Sequence, residues 1–130
     1  MKKIVSFCLW GTNSKYTVGA VKNAELCKGL YCGWEVVFYV SSCTPSNIIH
    51  RLTELGCTVI NMGSGDWTAM FWRFTPAFEV DTIMISRDTD SRVSSRERQA
   101  VEEWLASDKD FHIMRDHRFH DTEILGGMWG

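Results

Sequence analysis

Residues 81–90, Asp81-Thr82-Ile83-Met84-Ile85-Ser86-Arg87-Asp88-Thr89-Asp90, decide how this chain is read. The first six spell a buried strand, and the last four replace apolar side chains with charge in a single step. In an extended segment residues i and i+2 point the same way, so Asp88 and Asp90 can face one site. In open α/β sheets that position, just beyond the carboxyl end of a strand, is where ligands sit. Two carboxylates placed there repel one another and lose water, which favours a divalent cation between them. Hard Mg²⁺ or Mn²⁺ suits ligation by oxygen alone. The other reading of the same residues is a solvated turn, in which Asp88 and Asp90 pair with Arg87 or Arg92.

Upstream, the pattern predicts the sheet to which this strand belongs. Ile4-Val5-Ser6-Phe7-Cys8-Leu9 is a near-continuous apolar run, as expected of a strand covered on both faces. Gly11-Thr12-Asn13-Ser14 breaks it, and between Thr17 and Tyr31 the residues Ala20, Ala24, Cys27 and Tyr31 recur at helical spacing. Trp34 to Val40 reads as a second strand. Thr44-Pro45 predicts a helix start with Thr44 as cap, Ile48, Leu52 and Leu55 give that helix an apolar face, and Gly56 stops it. Cys57 to Ile60 is a third strand. The order β-α-β-α-β calls for right-handed crossovers and a largely parallel sheet.

A glycine-rich loop, Met62 to Asp66, leads into the aromatic stretch Trp67 to Phe74, expected to be helical with Met70, Phe71 and Phe74 facing inward. Arg73 inside that stretch must find an anionic partner, a carboxylate of the Asp pair or a phosphate, or else snorkel to solvent. Arg87 has the same options. Downstream of the acidic triplet, Ser94-Ser95-Arg96-Glu97 is a capping-box spelling that opens a helix with Ala100, Val101, Trp104 and Leu105 as its buried stripe. Phe111 to Met114 is a fifth strand candidate with His112 in a structural role. Ile124 to Gly130 reads like the interior of a fold, and suggests that the structural unit continues past Gly130.

Composition sets the bounds. A chain of 130 residues fits one domain with a single core. Its net charge of −2 exerts no global pull toward nucleic acid, and no apolar stretch is long enough to span a bilayer. The five cysteines are odd in number and lack CxxC spacing, so they build neither a disulfide framework nor a zinc site, and a reducing, cytosol-like compartment is expected. Polar chemistry gathers late: residues 81–130 hold 11 of the 16 acidic side chains and three of the four histidines. Asp116, His117, His120 and Asp121 form one such cluster, which is equally readable as a solvated loop.

Phe71-Trp72-Arg73-Phe74 and Arg87-Asp88-Thr89-Asp90-Ser91-Arg92 resemble GT-A type glycosyltransferases with a DxD motif. Trp10-Gly11 and Lys15-Tyr16 to Leu26 fit the same family's first βα unit; Arg96-Glu97 to Trp104, Phe111 to His117 and Gly126-Gly127-Met128-Trp129-Gly130 fit its later part. The type is the small one of algal large DNA viruses, including chloroviruses, and of bacterial polysaccharide clusters. The resemblance implies a Rossmann-like, mostly parallel sheet flanked by helices, spanning residues 1–130 as one nucleotide-sugar-binding domain that is incomplete at its C-terminal end.

It also implies an activity: transfer of a sugar from a nucleoside-diphosphate donor, a UDP-sugar first, to a glycan or other hydroxyl acceptor. Mn²⁺ or Mg²⁺ would be the cofactor, held by Asp90 directly and by Asp88, which would lie nearer the ribose and sugar. Leu9, Trp10, Gly11, Tyr16, Arg73, Arg87, Asp88 and Thr89 would receive the donor, with Tyr16 either stacking on the base or packing in the core. Asp116 would be the general base toward the acceptor hydroxyl. A viral member would work in the host cytoplasm. The alternatives are a sugar-nucleotide-binding fragment without catalysis, part of a multidomain enzyme, and a metal-dependent nuclease or phosphotransferase. The last needs a basic groove, and the charge balance argues against it.

Overall fold

β1, Lys2–Leu9, lies at the centre of a five-stranded sheet because both of its faces are apolar enough to be covered. The computed structural model describes residues 1–115 and 124–130. Beside β1 run β2 (Glu35–Val40) and, next to that, β3 (Thr58–Asn61); on its other side lie β4 (Thr82–Arg87) and β5 (Met128–Trp129). The order is β3-β2-β1-β4-β5, with β1 to β4 parallel and β5 antiparallel to β4. The expected α/β architecture with a mostly parallel, helix-flanked sheet is therefore present.

Period-two alternation sorts the side chains. Val5, Phe7 and Leu9 of β1, Phe38 and Val40 of β2 and Ile85 of β4 face the helices α1 (Ser14–Leu30), α2 (Ser46–Glu54) and α3 (Ser95–Ala106). Phe7 and Phe38 stack there with ring centroids 4.7 Å apart. Ile4, Val37, Tyr39 and Met84 form a smaller core on the opposite face, together with Trp72 and Trp129. That face is covered by a 3-10 helix, Trp67–Phe78.

Three expectations are corrected. The aromatic stretch is helical as expected, a 3-10 helix, but the residues it buries are Ala69, Arg73 and Pro76. Met70 and Phe71 are exposed, because a three-residue repeat changes which side chains share a row. The backbone carbonyls of the segment are fastened to β1: Ser6 Oγ donates to the Arg73 carbonyl at 2.6 Å and Cys8 Sγ to the Met70 carbonyl at 3.5 Å. Second, Phe111 to Met114 is no full strand. Ile113 makes one bridge to Trp129, and His112 and Gly130 exchange backbone hydrogen bonds, while Met128–Trp129 occupies the sheet position beside β4. Third, α2 begins at Ser46 with Pro45 at the cap position, so the Thr44 hydroxyl pairs with Ser41 instead of capping.

The capping box of α3 is half built, for a reason that matters to the fold. Ser94 accepts from the Glu97 amide at 3.3 Å, but the Glu97 carboxylate turns inward rather than back to the cap. It pairs with Arg87 Nε and accepts from the Tyr31 hydroxyl at 3.1 Å. Arg87 is 2 % exposed and Glu97 5 %, so each needs the other to remain charged. Burial, with Glu97 adding to it, pushes the Tyr31 phenol far up and keeps it a donor.

Glu97→Ala strands the Arg87 charge in the core and should cost about 3–5 kcal/mol in urea denaturation. The double substitution Arg87→Met/Glu97→Leu should recover most of that loss, since a well-packed apolar pair replaces a desolvated ionic one. Equal losses in both variants would show that the pair is not acting through charge burial.

Candidate functional site

The strand order reverses between β1 and β4, because the chain leaves β1 toward β2 and β3 and then returns to β4 on the far side. At such a point the loops leaving the two strands diverge and open a crevice. A cleft of about 490 Å³ lies there. Leu9 lines it from the end of β1, Trp10 and Gly11 from the first βα loop, Tyr16 from the first turn of α1, Arg73 from the 3-10 helix, and Asp88, Thr89 and Asp90 from beyond the end of β4. Of the residues assigned to donor or metal from the sequence, only Arg87 is missing from that lining. It faces the α-helical side of the sheet, committed to Glu97. Asp116 and its neighbours His117, His120 and Asp121 lie outside the described residues.

The acidic triplet is held from both sides. Asn23, fully buried on α1, donates to the carbonyls of Asp88 at 3.2 Å and Ser91 at 2.7 Å, and accepts from the Val93 amide at 3.0 Å. Beside it, Gly19 is glycine of necessity: a Cβ there would overlap the Thr89 carbonyl oxygen. On the opposite side Gly127 passes so close to the Asp88 carboxylate, and Gly126 to the Arg73 guanidinium, that a Cβ on either would collide. Ser86 Oγ donates to the Gly126 carbonyl at 2.6 Å and holds that turn in place.

Asp88 and Asp90 both line the cleft, on a bend past β4 that brings Thr89 to it as well and not on the extended segment expected, and each has its own cation. Arg73 Nη1 donates to Asp88 Oδ1, and Lys15 Nζ lies 3.8 Å from Asp90 Oδ2. Neither Arg87 nor Arg92 is the partner; Arg92 Nη1 instead donates to the Thr89 and Ser91 carbonyls at 3.3 Å. The Asp88 side chain is 41 % exposed and that of Asp90 34 %, so both keep oxygens free for a ligand. Among the described residues no group of three or more His, Cys, Asp or Glu side chains is placed to hold a metal ion. A cation here would need oxygens from its ligand as well, and Mg²⁺ usually takes one or two carboxylates plus substrate phosphates.

Aromatic surface frames the mouth. Trp10, Tyr16 and Trp67 are 41 %, 37 % and 65 % exposed, so Tyr16 is a rim residue and not a core one. Such rings offer flat faces to a base or a sugar. A second cleft of about 590 Å³ adjoins the first, and Met70, Arg73, Asp88 and Asp90 line both. Its further lining, Arg87, Glu97, Val93, Leu125, Gly127 and Met128 among others, mixes charged and apolar groups and has no aromatic ring. The carboxylates thus stand between a cleft with aromatic rings and one without.

Sequence reasoning missed Asn23, Lys15 and Trp67. Asn23 did leave a signal, a lone amide on the buried stripe of Ala20, Ala24 and Cys27. Cys43 was also passed over. Hydrogen bonds from the Ser41 hydroxyl and the Gly11 amide hold its exposed thiol below the usual range, whereas burial pushes Cys27 up to about 12 and Cys57 up to about 11.

Two outcomes are expected. Asn23→Ala orphans two carbonyls and an amide, at roughly 1–3 kcal/mol per buried group, and should appear both as lost stability and as faster amide exchange at Val93. As pH is raised from 6, iodoacetamide should modify Cys43 ahead of Cys8, Cys27 and Cys57, read by peptide mass spectrometry; equal rates would refute the hydrogen-bonded thiolate. No protein-family model matches the chain and no curated protein matches it, so what the cleft binds has to follow from its own chemistry.

Proposed function

We propose that this chain is the donor-binding part of a GT-A type glycosyltransferase, which moves a sugar from a nucleoside-diphosphate sugar, a UDP-sugar first, to a hydroxyl of a glycan acceptor. The observation that carries the reading is the place of Asp88 and Asp90: at the switch point of a parallel sheet, between a cleft framed by aromatic rings and an adjoining one without them. A base on the rings of Trp10, Tyr16 or Trp67 would lay its diphosphate toward the carboxylates, and the second cleft would take the acceptor on their other side.

The donor set fits Mn²⁺ or Mg²⁺, because two carboxylates with free oxygens face one space and phosphate oxygens complete a hard, all-oxygen shell. The chemistry such a cation supplies is Lewis-acid neutralisation of charge on the departing diphosphate. The chain's own residues orient and screen. Lys15 and Arg73 bring positive charge to the diphosphate, the Asn23 anchor fixes the loop that carries the carboxylates, and the Gly126-Gly127 turn leaves room for them. Asp116 is the proposed general base toward the acceptor hydroxyl.

Calorimetric titration with UDP, with and without Mn²⁺, tests the reading. Binding should require the metal, and Asp90→Ala should weaken it by about tenfold or more, the scale of losing one charge-assisted contact. Metal-independent binding that the substitution leaves unchanged would overturn the assignment of the Asp pair. Donor hydrolysis in the same samples reads catalysis separately from binding.

A further inference from the structure

Arg73 is the buried member of its ion pair, and Asp88 is the member that opens to solvent. The arginine is 7 % exposed, its backbone carbonyl is tied to Ser6 Oγ, and its guanidinium carbon lies 5.4 Å from the Phe74 ring centre with Gly126 closing over its end. One nitrogen serves Asp88, while its Nε is sealed from solvent without a hydrogen-bond partner among the described residues. Asp88 is far more exposed and lies on the wall between the two clefts. A divalent cation arriving alone therefore meets a carboxylate already neutralised by a fixed guanidinium, and like charges oppose it. A diphosphate arriving alone meets Asp88 and Asp90, and is opposed in the same way.

On the reading of the cleft as a diphosphate and metal site, we propose that Arg73 is the residue that makes the two ligands bind cooperatively. With neither present, the guanidinium occupies Asp88. A diphosphate oxygen gives Arg73 another anionic partner, and the Asp88 oxygens are released to the cation. Arg73 acts here as a positioning residue, and coupling of this kind is reciprocal: whatever factor the diphosphate lends to the metal, the metal lends to the diphosphate.

The test is titration of Mn²⁺ against the protein, with unbound Mn²⁺ read by electron paramagnetic resonance, alone and with saturating UDP, GDP, CDP or ADP. The Mn²⁺ complex formed in protein-free controls is subtracted. In wild type at least one diphosphate should tighten Mn²⁺ by roughly 5- to 150-fold, the usual span of coupling between sites. Arg73→Met, an unbranched side chain of similar length, should bind Mn²⁺ alone more tightly than wild type and lose most of the enhancement, while Arg73→Lys should lie between. Undiminished enhancement in Arg73→Met, with Mn²⁺ alone bound no better, overturns the role of Arg73 and leaves the metal site standing. No enhancement in wild type with any of the four diphosphates overturns the functional reading, and this inference with it. A wild-type measurement guards against misfolding of the variants. The Arg73 Nε–H resonance, assigned by its loss in Arg73→Lys, should shift when Mg²⁺ and the effective diphosphate are added together. Its staying fixed under that addition overturns the proposal.

Discussion

Covering β1 on both faces is the constraint from which the rest of the molecule follows. One set of its alternating residues, Val5, Phe7 and Leu9, requires the helices, and the other, Ile4, Ser6 and Cys8, requires the 3-10 segment. A strand apolar on both faces suits the interior of a parallel sheet, and β2 takes one edge of β1 and β4 the other. The chain can supply both neighbours only by crossing back after β3, and that return creates the crevice at the carboxyl ends of β1 and β4. The site's location is thus a consequence of hydrophobic burial, settled before any charged residue is considered.

The same burial forces two arginines to find partners. Arg87 and Arg73 project to opposite faces of the sheet, and each pairs with one carboxylate. The pairs differ in their acidic member. The Glu97 side chain is 7 % exposed and shared with the Tyr31 hydroxyl, so that pair is the more enclosed one, although both of its members reach the second cleft. Asp88 is 41 % exposed on a wall between two clefts, so its pair is open. Exchanging partners inside the enclosed pair would leave a buried charge uncompensated, at a cost of several kcal/mol. Identical chemistry is therefore enclosed in one place and opens to solvent through its carboxylate in the other.

The strands and helices up to Ile60 were legible because their hydrophobic periods are clean and Gly33 and Gly56, both at positive φ, end the helical turns. The 3-10 segment was not, since its apolar residues Met70, Phe71 and Phe74 satisfy an α-helical stripe on paper. What selects the tighter helix is tertiary: β1 hydroxyl and thiol groups seize its carbonyls at Arg73 and Met70. Phe111 to Met114 read as a strand because apolar composition alone cannot say which segment wins the edge of β4, and Met128–Trp129 holds it. Within the site, the place of Asp88 and Asp90 at the end of β4 was legible, but a bend and not extended i, i+2 geometry brings them to one cleft together with Thr89. The partners of Arg73 and Arg87 could not be told apart, because which face each residue occupies depends on strand register.

The polar residues buried among apolar ones carry the remaining step from fold to site. Ser6, Asn23 and Ser86 stand at positions where an apolar side chain would pack as well, yet each spends its hydrogen bonds on the backbone of an irregular segment: the 3-10 helix, the acidic loop and the Gly126 turn. Irregular backbone cannot satisfy its own carbonyls, and inside a protein an unpaired one is costly. By supplying the missing donors, these residues fix three loops against a rigid sheet, and Asp88 lies where the three meet. A carboxylate pair on unanchored loops would relax apart under its own repulsion. Held this way it keeps its two charges directed into one cleft.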